Sequence, residues 1–218
     1  MCIYTYNINI GSCCAECAYS AVGAVEGINA IETGKLLTLS VQQVIDCAGA
    51  GNCNVRSTYD AFQYAIENGI TVVGNYPAYD KEKNCTCRFD PNKPPIVKIT
   101  GISFVKSEED LMQAVYWYGP VSVLIEASSA FMMYKEGVFT GPCGTALNHA
   151  VLVVGYGKIP NGTRYWIVKN SWGQMWGEKG YIRMVRDIEV DAGICGITTY
   201  AIYPTGVVTS PAAATAAY

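Results

Sequence analysis

The spacing of apolar residues changes period near the middle of the chain. Ala18, Ala21, Val25 and Ile28 recur every three or four positions, as one face of a helix does, and Gly34 follows as a stop. A helix is therefore predicted over about 16–32. Ser40 caps a short helix reaching Cys47, and Tyr59 to Asn68 reads as a third helix ended by Gly69. Ser107 and Asp110 have the spacing of a capping box ahead of Leu111 to Tyr118. Thereafter Val121 to Ile125, His149 to Val154, Arg164 to Val168 and Tyr181 to Val185 form short runs that read as strands. The pattern divides the chain into a mainly helical part, residues 1–102, and a mainly β part, residues 103–205. Pro91 to Pro95 punctuates the passage, and the small, Ala-rich residues 206–218 are expected to be a loose tail. The fold class is α+β.

Composition narrows the function. Charged residues are 15% of the chain and the net charge of −3 is spread without blocks of one sign, which speaks against a nucleic-acid partner. The longest apolar stretch, around Ala150 to Val154, is far short of the roughly 20 residues that span a bilayer. A monomer with no membrane segment is expected.

The ten cysteines are scattered rather than spaced as zinc ligands, so oxidised bridges are the better reading. Cys14 and Cys17 form a CxxC, yet a single histidine is present in the whole chain to complete a four-ligand site, and no metal or cofactor is implied. Sequons at Asn84-Cys85-Thr86 and Asn161-Gly162-Thr163 fit a secretory route to an extracellular, vacuolar or lysosomal location. The chain opens Met1-Cys2-Ile3 without a basic and then apolar leader, so either targeting residues lie outside it or the gene has lost them; a signal peptide and a prosegment are not expected within it.

Four segments then carry a resemblance. Gly11-Ser12-Cys13-Cys14-Ala15-Glu16-Cys17-Ala18-Tyr19-Ser20-Ala21-Val22 resembles the nucleophile segment of papain-like cysteine proteases. Leu147-Asn148-His149-Ala150 is similar to their histidine strand. Lys169-Asn170-Ser171-Trp172-Gly173 with Trp176-Gly177 and Gly180-Tyr181 is similar to their asparagine segment, and Cys195-Gly196-Ile197 to Tyr203-Pro204 to their closing strand. The resemblance runs from residue 7 to about residue 205. Gly141-Pro142-Cys143-Gly144-Thr145 is nearest to the plant branch that includes actinidin and bromelain.

The resemblance implies a two-domain fold, with a helical left domain, an antiparallel, barrel-like right domain and a cleft between them. It makes His149 the acid/base, Asn170 its orienter and Trp172 the indole shielding their hydrogen bond. Such a trio needs a thiolate at the amino end of the long helix, where backbone N–H groups and an imidazolium lower the thiol pKa. The lone histidine would by itself read as a satisfied core residue; Asn170-Ser171-Trp172 reverses that preference. The cleft is expected to be lined by Asn54, Val55, Arg56, Val123, Leu147, Asn148, Ala150 and Tyr200. Family bridges carried over by position are Cys13–Cys53, Cys47–Cys87 and Cys143–Cys195, with Cys85 the alternative partner of Cys47. Cys2, Cys14, Cys17 and the unused member of that pair are left over.

This sequence departs from the pattern at the decisive positions. Aligned without gaps, the nucleophile falls on Glu16, the tryptophan after it on Cys17, and the oxyanion-hole glutamine on Ile10, which has no side-chain donor. Loss of one such donor typically costs about a hundredfold to a thousandfold in rate. Val55 and Arg56 replace a glycine pair and are expected to intrude on the cleft, and Tyr200 to narrow the main specificity pocket. Glu16 is compatible with the helix dipole, and a pairing with His149 or Arg56 is expected from its charge. A rival register makes Cys17 the nucleophile, at the expense of two compensating indels and a turn of about 100° against the helix phase set by Val22, Val25 and Ile28. The two readings are a catalytically impaired homologue that binds a peptide or protein ligand, such as a protease inhibitor, in a binding, defence, storage or decoy role, and an active endopeptidase using Cys17.

Overall fold

The computed structural model describes residues 14–49, 55–76, 86–90 and 97–209. In chain order its elements are α1 (Ala15–Thr33), α2 (Val41–Cys47), α3 (Thr58–Glu67), β1 (Val97–Ile99), β2 (Ile102–Phe104), α4 (Glu108–Trp117), β3 (Val121–Ile125), α5 (Ser129–Met132), β4 (Val138–Phe139), β5 (His149–Lys158), β6 (Arg164–Lys169), β7 (Tyr181–Val185), β8 (Ala201–Pro204) and β9 (Val207–Thr209). They divide into two compact units: the described residues of Met1–Ile102 with those of Pro204–Tyr218, and Ser103–Tyr203.

In the first unit α1 packs against α2, α3, β1 and β9. Its inward face is a continuous apolar stripe containing Cys17, Ala21, Ala24 and Ile28 together with Ala18, Val22 and Val25. Of these, Val22, Val25 and Ile28 each contribute about 1.5–3 kcal/mol over an exposed side chain. The helix stops at Gly34, whose φ of 73° is left-handed and whose N–H reaches the Ala30 carbonyl. Ser40 caps α2 by accepting from Gln43 N at 3.1 Å. The fully buried Gln43 amide donates to the Tyr64 hydroxyl and the Gly69 carbonyl and accepts from Thr71 N, so no polar atom of it is left unmet and α2 is tied to the end of α3. A capping box between Ser57 and Asp60 starts α3.

Two expectations are corrected here. Part of the supposed loose tail, Val207–Thr209, is strand β9, paired antiparallel with β1 in the register Val97↔Thr209 to Ile99↔Val207. The Ser107–Asp110 box is half formed: Ser107 accepts from Asp110 N, while the Asp110 carboxylate accepts from Lys106 N at 3.2 Å.

The second unit is built on a sheet of order β2-β8-β3-β5-β6-β7-β4. It is open rather than barrel-like, because β2 and β4 remain its edges, and it is not wholly antiparallel, because β4 joins β7 in parallel. Its core includes Leu111, Val123, Ile125, Phe131, Trp166 and Ile182, each fully buried.

Candidate active-site residues

At the start of α1 the backbone fixes what each side chain can do. Cys14 occupies the N-cap without a side-chain cap bond, and its N–H donates to the Val55 carbonyl at 2.9 Å. The Cys17 and Ala18 N–H groups close the first turn onto the Cys14 carbonyl. Residues three apart on a helix are neighbours, and Cys14 and Cys17 are joined by a disulfide with their Cα atoms 5.2 Å apart. Neither was assigned a partner by the family pattern. Cys17 is 2% exposed and lies on the inward stripe, so the rival register does not deliver an accessible thiol. Glu16 is partly buried in the first helical turn, where a carboxylate gains roughly 0.3–1 kcal/mol from the dipole.

The surroundings of Glu16 differ from expectation in two respects. Val55 does not intrude on open space: it is fully buried, and its carbonyl accepts from Cys14 N. No ion pair joins Glu16 to Arg56 among the described residues; the exposed Arg56 instead donates its backbone N–H to Asp60 at 2.9 Å. Ile10, Asn54, Asn84 and the Cys13–Cys53 bridge lie outside the described residues.

In the second unit a second group is assembled from β5 and the turn after β6. The backbone of His149 is held in register with Ile125 on β3. His149 Nε2 and Asn170 Oδ1 are 2.9 Å apart, and both residues are 7% exposed. The Asn170 oxygen also accepts from Ser171 N at 2.8 Å, which identifies it as an acceptor. Nε2 therefore carries the proton, and in the neutral ring Nδ1 is the basic nitrogen. Trp172 stacks on the imidazole with centroids 4.8 Å apart and planes at 28°. Asn170 is positioned by its own N–H, which donates to the Gly180 carbonyl; Gly180 has φ 91°, a conformation that disfavours any side chain.

Two residues outside the family motif complete this group. Phe131, fully buried on α5, meets the rings of His149, Trp172 and Trp176 edge-on or tilted at 6.3, 5.6 and 5.2 Å. The Met132 carbonyl accepts from the Trp176 indole at 2.9 Å, locking that ring. A buried Phe on a four-residue helix has no sequence signal. Trp176 was visible as part of the asparagine segment without its role.

The remaining expected cleft residues separate. Asn148 is exposed and its Oδ1 accepts from Ala127 N; Leu147 and Tyr200 are partly buried, with the Tyr200 ring edge-on to Phe104. Val123 and Ala150 are 0% and 2% exposed, and Val123 belongs to the core of the second unit. On the β3–β5 ladder Val123 faces Val151 and Leu124 faces Ala150, so Val123 and Ala150 lie on opposite faces of the sheet. The Cys47–Cys87 and Cys143–Cys195 bridges are formed, which resolves the choice between Cys85 and Cys87. Asn161 is exposed in the β5–β6 turn. Among the described residues no cluster suited to a metal ion is present, and no helix is long and apolar enough to cross a membrane.

Comparison with known proteins gives a consistent picture. The family profile described as "Papain family cysteine protease" matches residues 3–205. Fruit bromelain of Ananas comosus is 43% identical over 88% of this chain and 55% of its own length. Cysteine proteinase EP-B 1 of Hordeum vulgare is 49% identical over 88% of this chain and 53% of its own length, so the chain spans about half of these relatives. Among solved structures, the bromelain protease from Ananas comosus in complex with the E64 inhibitor has a TM-score of 0.80 and 44% identity, covering 89% of this chain and 90% of that one. The Carica candamarcensis cysteine protease CMS1MS2 in complex with E-64 has a TM-score of 0.77 and 39% identity, with 90% of each chain covered.

Proposed function

The chain belongs to the papain family of cysteine proteases, and from that premise we propose that it binds peptidic ligands without hydrolysing them. The observation that carries this reading is at the amino end of α1. Glu16, which we align with the nucleophile, precedes Cys17, whose sulfur is buried and bridged to Cys14. We read His149 and Asn170, 2.9 Å apart, as a base and its orienter. A base needs a nucleophile to deprotonate and a donor to receive the oxyanion, and neither Glu16 nor Ile10 supplies the missing chemistry. Hydrolysis by a carboxylate-activated water would still lack that donor.

The biological role that fits a silent homologue is binding, in defence, storage or as a decoy for inhibitors of active relatives. The Cys47–Cys87 and Cys143–Cys195 bridges favour an oxidising compartment, hence a secretory route, with glycan acceptors at Asn84 and Asn161. Incubation with E-64, the inhibitor in the two related complexes above, followed by peptide mass spectrometry, tests the reading. No adduct is expected on Cys17, with or without reductant. A stoichiometric adduct on Cys17 would overturn it and establish an endopeptidase using that residue.

A further inference from the structure

We propose that Cys14 and Cys17 are a redox-active pair that exchanges with small-molecule disulfides of the glutathione type, an activity separate from peptide hydrolysis and independent of the binding role above.

Three observations converge on this pair. The first is its asymmetry. Cys14 is partly exposed at the N-cap of α1, whereas Cys17, three residues on, is 2% exposed on the inward stripe. A thiol or disulfide arriving from solution meets the Cys14 sulfur, and the protected Cys17 sulfur is left to resolve the intermediate. This division of labour prevents a mixed disulfide from persisting.

The second is the cost of opening. Cys47–Cys87 and Cys143–Cys195 join residues 40 and 52 apart, but Cys14–Cys17 joins residues 3 apart. Because a cross-link restricts the unfolded chain more as its loop lengthens, the fold opposes reduction of the two long bridges more than that of the short one. Reducing Cys14–Cys17 removes a link across one helical turn that the Cys17 and Ala18 N–H bonds to the Cys14 carbonyl still close, while α1 stays anchored by Val22, Val25 and Ile28 and by its Gly34 stop.

The third is electrostatic. The N-terminal N–H groups of a nineteen-residue helix favour a thiolate at Cys14. Glu16, in the same turn, works in the opposite direction. The thiolate is the attacking form in disulfide exchange.

In the reduced pair, the Cys14 thiolate attacks one sulfur of glutathione disulfide. An S–S bond forms between Cys14 and glutathione as the disulfide breaks, and the departing glutathione thiolate takes a proton. Cys17, losing its proton to solvent, then attacks the Cys14 sulfur. The Cys14–Cys17 bond forms and the second glutathione leaves as a thiol. The pair loses two electrons, glutathione disulfide gains them, and the reverse sequence reduces the bridge.

The test equilibrates the full chain in glutathione buffers of graded poise, quenches with acid, alkylates free thiols and maps peptides. Cys14 and Cys17 are expected to gain and lose alkylation together and reversibly, while Cys47–Cys87 and Cys143–Cys195 remain bridged and the far-ultraviolet circular dichroism is unchanged. In Cys17→Ser, glutathione should accumulate on Cys14 roughly tenfold or more above its level on Cys17 in Cys14→Ser, because access to the sulfur governs the exchange. Wild-type mapping that shows Cys14 or Cys17 bridged elsewhere, or a Cys14–Cys17 bridge that opens only together with the long ones, overturns the proposal. Equal adducts in the two variants do so as well.

Discussion

Glu16 and Cys17 are adjacent in sequence but lie on different faces of α1: Cys17 is 2% exposed and bonded to Cys14, whereas Glu16 is partly buried outside the inward stripe. A helix advances about 100° per residue, so a one-residue displacement of the thiol is a change of direction and not a small shift.

Removing the disulfides separates structural from exchangeable bridges. Replacing Cys143 and Cys195 together by alanine is expected to destabilise the protein by about 2–5 kcal/mol in urea unfolding. Replacing Cys14 and Cys17 together should cost less, since that bridge spans 3 residues against 52. The reverse ranking would mean that α1 depends on its first turn for stability.

The aromatic group around His149 depends on Phe131. Phe131→Ala removes a fully buried ring that touches His149, Trp172 and Trp176, and should cost about 3–5 kcal/mol. The His149 imidazole signals in nuclear magnetic resonance should shift in the same variant. A loss below about 1 kcal/mol with unchanged signals would show that the ring is not a support, since losses in buried large-to-small changes start well above that.

Glu178 gives the second unit an acid-sensitive link. Its hydrogen bonds from the Arg183 guanidinium, reinforced by Gly137 N, hold its carboxyl below the ordinary glutamate value. A group with a lowered folded pKa stabilises the protein above its unfolded pKa and loses that contribution as pH falls through the folded one. Stability should therefore decline as pH drops below about 4.3, and Glu178→Gln should flatten that limb. Parallel acid curves for the variant and the parent would assign the sensitivity elsewhere.

How much of this was legible in the sequence depends on how local each signal is. The phase of α1 was legible because Val22, Val25 and Ile28 repeat at helical spacing, and Asn170 with Trp172 because they are near neighbours in one motif. Strand β9 was not, since Val207–Thr209 is three residues long and is made a strand by β1, far away in the chain. The Cys14–Cys17 bridge escaped notice because positional matching considers only cysteines the family has. For Val55, a side chain in place of glycine says nothing of its direction, and the structure buries it fully. Val123 and Ala150 are read as cleft residues from the resemblance alone, and the strand pleat sets them on opposite faces of the sheet, both buried.

Coupling between the two substituted positions is testable by restoring them. Glu16→Cys returns a thiol and Ile10→Gln an oxyanion donor, and components acting as a unit are strongly non-additive. Each single change should recover little hydrolysis and the double change more than the product of the singles. Equal recovery by Glu16→Cys alone would remove Ile10 from the account.

The most direct measurement is hydrolysis of a fluorogenic peptide panel by the unmodified chain, before and after reduction, alongside Cys17→Ala and Glu16→Ala. The account predicts no turnover above a heat-inactivated control in any of these proteins under either condition. Turnover in the unmodified chain that Cys17→Ala abolishes and Glu16→Ala leaves intact would contradict it.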